Sequence, residues 1–378
     1  MKFIIAPDSY KGCLKSIEIC EYLAIGIKEI NPNAEIEKLP MADGGEGTVE
    51  AIVLSTGGEF HKLKVLGPLG EQVEAIYGVA GNSNTAVMEM ASASGIELLP
   101  REKLNPLKTS TYGTGQILKQ IIQNGVRDII IGIGGSATVD GGAGMAQALG
   151  YKFLDKDAKE LKMPLGGGDL KQIAAIDDSG VLAELKTCRI QIASDVTNPL
   201  LGKNGAVKVF GPQKGATDEM LIELEENLAH YADKIVSAGF ANDCKMARDG
   251  AAGGLGFALR SLCSAKSVSG AELMIEITGL KQKLANADIL ITGEGCTDFQ
   301  TAHGKLCAVV AQAAENAKVP AVLVSGALQG DLSELSDLFI AMFSTTSLPC
   351  KLEDAFALTP DNLIRTGRNI AGMLQVSL

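Results

Sequence analysis

The chain contains no tryptophan, and aromatic residues make up only 4% of its 378 residues. Proteins that bind single-stranded nucleic acid or sugar rings use aromatic side chains for stacking, so the composition argues against such surfaces. The net charge of −11 also argues against a nucleic-acid partner, because no basic stripe is present to neutralise phosphates.

Histidine is scarce, and the chain has only His61, His230 and His303. None of the eight cysteines forms a C-x-x-C pair, so we expect reduced thiols rather than a zinc site or a disulfide framework. The scarcity of histidine also favours a carboxylate as any general base.

Long apolar runs are absent, and residues 1–12 do not resemble a signal peptide. We therefore expect a cytoplasmic protein with no membrane partner. The hydrophobic content of 46% supports a sizeable core, and the length suggests two or three domains.

Glycine, in contrast, is abundant, with 44 residues, and one glycine-rich stretch stands out. Residues 129–133 form an apolar, β-branched run typical of a buried strand, and a loop of Gly, Ser, Thr and Asp follows. A short helix over 145–149 then ends at Gly150. Such a loop can bring backbone N–H groups close to a phosphate, although tight packing of a strand against a helix also selects glycine. It is not a Walker A loop.

The first 58 residues predict the order strand, helix, strand, helix. Each strand ends in a loop that carries an aspartate, Asp8 or Asp43. Ligands of open parallel sheets bind outside the carboxyl ends of the strands, so both positions suggest a site. The alternatives are a turn residue at Asp8 and a helix capping box formed by Asp43 and Glu46.

The pattern changes after residue 60. Segments 61–65 and 72–79 predict an antiparallel hairpin, and Thr85–Met90 predicts a strand. Glu89 in this strand is either inward and functional or exposed, and we favour exposure. A strand over 189–193 leads to Asp195, the third aspartate at a strand exit. Thr217 is a good N-cap for a long helix.

The α/β pattern returns after Lys283, with strands over 287–292 and 320–324 and helices over 305–317 and 358–374. We therefore predict a Rossmann-like parallel-sheet α/β domain built from both chain ends, residues 1–60 and 285–378. A second α/β domain, residues 61–284, is inserted between them, and we expect the active site in the cleft between the two.

The predicted strand exits and loops collect carboxylates, lysines and glycine-rich turns, but no Ser-His-Asp or Cys-His arrangement. No G-x-G-x-x-G motif follows a strand with an acidic residue about 20 positions later, which disfavours a dinucleotide oxidoreductase. Carboxylates can hold Mg²⁺ or accept a proton from an attacking hydroxyl, and lysines can neutralise phosphoryl oxygens. The residues therefore favour a phosphotransferase, without naming its substrate.

Eight segments of the sequence resemble motifs of the bacterial type-1 glycerate kinase family, in the family's order and over nearly the whole chain. They are APDSYKG (6–12), LPMADGGEGT (39–48), STYGTGQ (110–116), IGIGGSATVDGGAGM (131–145), SDVTNPLLGKNGA (194–206), FGPQKGAT (210–217), GAAGGLG (250–256) and ITGEGCTDFQTAHGK (291–305). The resemblance implies two α/β domains, one inserted in the other. It also implies ATP- and Mg²⁺-dependent phosphorylation of D-glycerate, with 2-phosphoglycerate as the expected product.

Three positions depart from the family pattern. Cys296 stands where the family usually has arginine, so any anion that this arginine holds must be bound by other groups here. Val139 replaces a common asparagine. Ser194 replaces a common cysteine, which argues against a catalytic thiol at that position.

Roles for individual residues follow as hypotheses from these motifs and from their placement at strand exits. We expect Asp195 or Asp8 to be the base toward the glycerate hydroxyl, and Lys11 and Lys214 to neutralise transferring phosphoryl oxygens. The expected ATP phosphate cradle is Gly134, Gly135, Ser136 and Gly141. The residues expected to hold Mg²⁺ or substrate are Asp43, Glu294, Asp298 and, for substrate or nucleotide, Lys305.

Two alternatives remain open at this point. One is a kinase of another small hydroxy acid or polyol on the same scaffold. The other is a sensor of glycerate or nucleotide without turnover, which would not need a base.

Overall fold

The structure is a computed structural model that describes residues 1–194 and 196–376. The strands are β1 (Lys2–Ile5), β2 (Glu35–Lys38), β3 (Glu59–Leu66), β4 (Gln72–Val79), β5 (Thr85–Glu89), β6 (Asp128–Gly132), β7 (Lys152–Leu154), β8 (Ala175–Asp177), β9 (Arg189–Ala193), β10 (Lys266–Val268), β11 (Ile289–Thr292), β12 (Cys296–Thr297), β13 (Ala321–Ser325), β14 (Ala327–Leu328) and β15 (Ala341–Ser344). The α-helices are α1 (Ser16–Ile30), α2 (Thr48–Thr56), α3 (Ala91–Ser94), α4 (Tyr112–Gln123), α5 (Ala143–Leu149), α6 (Ala206–Phe210), α7 (Asp218–Ser237), α8 (Leu255–Cys263), α9 (Gly270–Ile277), α10 (Leu280–Leu284), α11 (Leu306–Asn316) and α12 (Leu352–Val376).

The described chain divides into two compact units. The first comprises Met1–Asp43, Glu50–Gly57 and Gly270–Leu378, and the second comprises Gly44–Val49 and Gly58–Ser269. Among the helices of the described ranges, none has both the length and the apolar character that a bilayer span would need.

The first unit contains a five-stranded sheet in the order β15-β13-β11-β1-β2, and every pair in it is parallel. Numbered within the unit, this is the order 2-1-3-4-5 of a doubly wound sheet, so the expected parallel α/β architecture is confirmed. Alternate residues of β1, such as Phe3 and Ile5, are buried in the core of this unit.

Helices α1 and α12 of the first unit approach each other so closely that glycine is required at the contact. A Cβ on Gly26 of α1 would lie 2.0 Å from the carbonyl oxygen of Ile364, and one on Gly367 of α12 would lie 2.5 Å from that of Leu23. The two backbones therefore touch without intervening side chains.

Helix α12 begins six residues before the position that the sequence predicts. Proline is favoured in the first turn of a helix, but Pro360 lies inside this one. Proline has no N–H to donate to Phe356, four residues earlier, and that carbonyl instead lies 3.8 Å from the Sγ of Cys13. A contact distant in sequence thus accommodates the proline.

The second unit contains a six-stranded mixed sheet in the order β10-β9-β6-β5-β4-β3. Strands β10, β9, β6 and β5 are parallel, whereas β4 and β3 form the expected antiparallel hairpin at one edge. Helix α7 begins where predicted, and Thr217 caps it by accepting a hydrogen bond from the N–H of Met220. Gly150 ends α5 in a left-handed conformation, also as predicted.

Candidate functional site

The first candidate site lies at the point of the five-stranded sheet where the strand order reverses. Strands β1 and β11 are neighbours there, and the chain continues from them to opposite sides of the sheet. The carboxyl ends of two such strands border a crevice in doubly wound folds. Asp8 follows β1 and Glu294 follows β11, and the N–H of Asp8 donates to the carbonyl of Gly293 at 2.8 Å.

Six of the residues singled out from the sequence lie in or next to this crevice, and we call them the switch-point cluster. They are Asp8, Lys11, Asp43, Glu294, Asp298 and Lys305.

Asp8 is the most buried member of the switch-point cluster, with 9% of its surface exposed. Burial, and secondarily the charge of Asp43, raises its pKa to about 7. Its Oδ1 accepts the N–H of Ser9 at 2.7 Å, which partly opposes the shift. A carboxylate with a pKa near neutrality is suited to accept a proton from a hydroxyl group.

Lys11 and Asp43 form an ion pair at the exposed side of the same cluster. The Nζ of Lys11 lies 3.2 Å from Oδ2 of Asp43. Partial burial lowers the pKa of Lys11, but Asp43 and Asp8 outweigh this effect and the pKa is raised. Helix α2 begins at Thr48, so Asp43 lies too far ahead of it to be its N-cap, and the capping-box alternative does not apply.

Lys305 lies between two carboxylates of the cluster. Its Nζ is 3.5 Å from Glu294 and 3.3 Å from Asp298. Burial lowers the pKa of Lys305, but these two carboxylates outweigh it and raise the pKa. Glu294 also accepts hydrogen bonds from the hydroxyls of Thr297 at 3.1 Å and Thr301 at 2.6 Å. Glu294 is therefore held in place by three donors.

The set of Asp43, Glu294 and Asp298, which the sequence suggested as magnesium ligands, does not form a three-carboxylate site. Over residues 1–194 and 196–376, no group of three or more His, Cys, Asp or Glu side chains is arranged to hold a metal ion. Glu294 and Asp298 are instead both paired with Lys305. Mg²⁺ in kinases is usually bound by one or two carboxylates together with substrate phosphates, so the donors present still fit a nucleotide-bound ion.

The second candidate site is the loop after β6 in the second unit, residues 133–142, which we call the glycine loop. Its residues Gly134 and Gly135 are exposed, and Ser136 behind them is buried. The Nζ of Lys214 donates to the Oγ of Ser136 at 2.6 Å and to the carbonyl of Thr138 at 2.8 Å. Lys214 thus supports the loop from inside the unit.

Lys214 is almost completely buried, with 1% of its surface exposed, so it is not a surface lysine. Burial lowers its pKa to about 7, and the charge of Asp140 only partly opposes the shift. Asp140 is itself engaged, because it accepts hydrogen bonds from the N–H and the hydroxyl of Thr111 at 2.8 and 2.7 Å. The protonation of a buried amine whose pKa is close to 7 responds to any anion that approaches the loop.

Gly141 differs from the other glycines expected in a phosphate cradle. It is buried, its N–H donates to the carbonyl of Gly253 at 3.1 Å, and a Cβ there would lie 2.7 Å from the ring of Tyr231. Its φ of +60° adds a second reason for glycine. Gly141 thus packs inside the unit, and its place in the phosphate cradle stays a prediction.

Asp195, the other candidate base, lies outside the described residues. Glu89 was expected to be exposed, and this was wrong. Its side chain is half-buried and accepts the N–H of Val49 at 2.8 Å, because the start of α2 covers it. Thr138 was not singled out from the sequence at all. Only its carbonyl contacts Lys214, so its side-chain type carried no signal.

A model of the glycerate kinase family matches residues 3–375 of the chain. The chain is 44% identical to the glycerate 2-kinase of Escherichia coli strain K12 over 379 aligned residues, covering 100% of this chain and 99% of that protein. It is also 44% identical to the glycerate kinase of Bacillus subtilis strain 168, covering 100% of this chain and 98% of the relative.

Structural comparison agrees with the sequence comparison. A crystal structure of a candidate glycerate kinase 2 from Salmonella typhimurium LT2 matches with a TM-score of 0.90 and 44% identity, covering 100% of this chain and 99% of that one. The match includes both the parallel sheet that carries the switch-point cluster and the mixed sheet that carries the glycine loop. The chain therefore belongs to the glycerate kinase family.

Proposed function

We propose that the protein transfers the γ-phosphoryl group of ATP to D-glycerate and gives 2-phosphoglycerate. The observation that carries this proposal is the 44% identity to the Escherichia coli glycerate 2-kinase over essentially the whole of both chains. The geometry supports it with a buried carboxylate whose pKa is near 7, with clustered lysines and with an exposed glycine-rich turn. These groups are what direct phosphoryl transfer to an alcohol requires.

The proton of the attacking glycerate hydroxyl goes to a carboxylate, Asp8 or Asp195. Asp8 suits this role because burial has already raised its pKa to about 7. A base with a pKa near the working pH combines a useful ionised fraction with a sufficient affinity for the proton. Asp195 is retained as the alternative base on its position in the sequence.

The developing negative charge of the transferred group is balanced by lysines. Lys11 is exposed and can reach phosphoryl oxygens directly, whereas Lys214 acts from below the glycine loop through Ser136 and the Thr138 carbonyl. The exposed backbone of Gly134 and Gly135 lies open to phosphate oxygens. Lys305, fixed by Glu294 and Asp298, is the cation best placed in the switch-point cluster to bind the carboxylate of glycerate.

Asp43 is the residue that would hold the Mg²⁺ of Mg-ATP. The ion would supply charge neutralisation of the β- and γ-phosphates. Asp8 and Asp43 fit a nearby cation, because the charge of Asp43 contributes to the raised pKa of Asp8. Asp43 is already paired with the exposed Lys11, which is free to move toward phosphate when an ion binds.

The test is ADP release by the purified protein with Mg-ATP, with and without D-glycerate, followed by NMR of the product. Glycerate-dependent release with phosphate on the 2-hydroxyl is expected. Product phosphorylated on the 3-hydroxyl would overturn the regiochemistry. No release, with glycerate still raising the melting temperature, would support a sensor instead.

Assays with a panel of other hydroxy acids and polyols as acceptors test the remaining alternative, a kinase of a different substrate. The reason for testing other acceptors is Cys296, which replaces the usual family arginine and is exposed. A kcat/KM for another acceptor that exceeds the value for D-glycerate would contradict the proposed substrate.

A further inference from the structure

Glu89 is the last residue of β5, and its carboxylate reaches the first residues of α2. Its Oε1 accepts the N–H of Val49 at 2.8 Å, and the N–H groups of Gly47 and Thr48 also donate toward the carboxylate. The first N–H groups of a helix have no partner within the helix, and a negative charge is favoured beside them. Glu89 of strand β5 thus caps the N-terminus of α2.

The pKa of Glu89 leaves its carboxylate ionised at neutral pH, which strengthens this contact. Burial raises the pKa of Glu89 to about 6, and the charge of Glu46 adds to the rise. The three backbone N–H groups oppose it, because they favour the ionised carboxylate. At neutral pH Glu89 is therefore mostly ionised and binds the backbone in its stronger, charged form.

The segment that Glu89 holds, residues 44–49, runs directly against the strands that lead to the glycine loop. A Cβ on Gly132, the last residue of β6, would lie 2.7 Å from the carbonyl oxygen of Gly44. One on Gly134 would lie 3.1 Å from the Cα of Gly45. Backbone touches backbone at these points, so a shift of segment 44–49 must also shift the start of the glycine loop.

Segment 44–49 is also fixed from the neighbouring strand β9. A Cβ on Gly44 would lie 2.9 Å from Ala193, and the φ of Gly44 is +91°, so no other residue fits there without strain. The hydroxyl of Thr48 closes the segment internally by donating to the carbonyl of Gly45 at 2.8 Å. Glu89 adds a charged group that binds the backbone of this segment at Val49.

We propose that Glu89 is a positioning residue whose carboxylate fixes segment 44–49 against Gly132 and Gly134 and thereby sets the backbone geometry of the glycine loop. The inference rests on the proposed function in that the glycine loop is taken to hold phosphates of ATP. Glu89 itself contacts no substrate. By occupying the N–H groups of α2, it also leaves the glycine loop, rather than this helix, to bind phosphate.

The test compares Glu89→Ala, Glu89→Gln and, as a matched control, Glu97→Ala, since Glu97 is an exposed glutamate of the same unit. In Glu89→Ala we expect kcat/KM for ATP to fall about 100-fold, as for a displaced binding group. Added sodium formate should restore part of the loss, because formate can occupy the vacated carboxylate position. Glu89→Gln keeps one acceptor oxygen and should lose less, and Glu97→Ala should match wild type.

Amide hydrogen exchange of the peptide covering residues 44–49 provides a readout that does not depend on turnover. We expect exchange about tenfold faster in Glu89→Ala, slowed again by formate, and unchanged in Glu97→Ala. If Glu89→Ala does not fold, Glu89→Gln is measured in its place. Wild-type exchange together with wild-type kinetics in the Glu89 variants would overturn the inference. Altered exchange in a protein without glycerate turnover would overturn the proposed function and leave the Glu89 contact standing.

Discussion

The buried carboxyl group of Asp8 makes the stability of the folded protein depend on pH. Its pKa of about 7 in the folded protein compares with 3.8 for the unperturbed group. The protonated form therefore favours the folded state. This contribution is complete below pH 3.8 and is lost as the pH rises through 7.

Asp8→Asn is expected to stabilise the protein at pH 8 while nearly abolishing turnover. Asparagine stays neutral, so the free energy of unfolding should increase by about 2–4 kcal/mol at pH 8 and by little near pH 4. Urea denaturation at both pH values, without nucleotide or Mg²⁺, measures this. Asp337→Asn, at an exposed aspartate of the same unit, is the control. Equal changes for the two variants at pH 8 would contradict the prediction.

Lys214 is the second residue whose chemistry depends on burial. Lys214→Ala removes the donor to Ser136 and to the Thr138 carbonyl, and with it the positive charge beneath the glycine loop. We expect a loss of about 2–4 kcal/mol in transition-state stabilisation, seen mainly in kcat/KM for ATP. Lys208→Ala, at an exposed lysine of the same unit, should be neutral. An effect of Lys214→Ala no larger than that of the control would remove Lys214 from the proposed mechanism.

At the scale of secondary-structure elements, α1 and α12 pack so closely that only glycine fits at their contact. Gly26→Ala places a methyl group 2.0 Å from the Ile364 carbonyl, so the two helices must separate, at a cost of about 2–4 kcal/mol. Gly372→Ala is a matched substitution on α12, where a Cβ has nothing within 4 Å. It should instead stabilise by about 0.5–1 kcal/mol through helix propensity. Thermal unfolding of both variants should therefore show shifts of opposite sign, and shifts of the same sign would refute the packing argument.

Elements with regular patterns could be predicted from the sequence, because their signals are local. Helix α1 follows β1 in the predicted order, and the hairpin β3–β4 follows its alternating pattern. The start of α12 could not be predicted in this way. Tolerance of Pro360 inside the helix depends on where the freed Phe356 carbonyl finds a partner, and that partner is Cys13.

At the scale of the whole molecule, the two perturbed groups predict the pH dependence of the reaction. In the proposed mechanism with Asp8 as the base, Asp8 must be ionised and Lys214 must be protonated. Each has a pKa of about 7 in the free protein. The profile of kcat/KM is therefore expected to be bell-shaped with a maximum near pH 7. Bound phosphates should raise the pKa of Lys214, so the alkaline limb of kcat should lie at higher pH than that of kcat/KM.

Initial rates measured from about pH 5.5 to 9.5 at constant ionic strength test this expectation. Lys214→Ala should retain the acidic limb and lose the alkaline one, which serves as an internal control. A flat profile in the wild-type protein between pH 6 and 8 would show that neither group titrates in the way the structure indicates.

The sequence by itself determined the order of strands and helices in the doubly wound part, the aspartates at strand exits and the resemblance to a kinase family, because periodicity and motifs are local properties of the chain. Only the tertiary structure decided which of these groups are buried, that Lys305 pairs with both Glu294 and Asp298, that Gly141 packs against Tyr231 and that Glu89 points inward. Burial, ionisation and hydrogen bonding depend on neighbours that are far apart in sequence, such as Ser136 and Lys214. Those neighbours meet only when the sheets and their connections have formed.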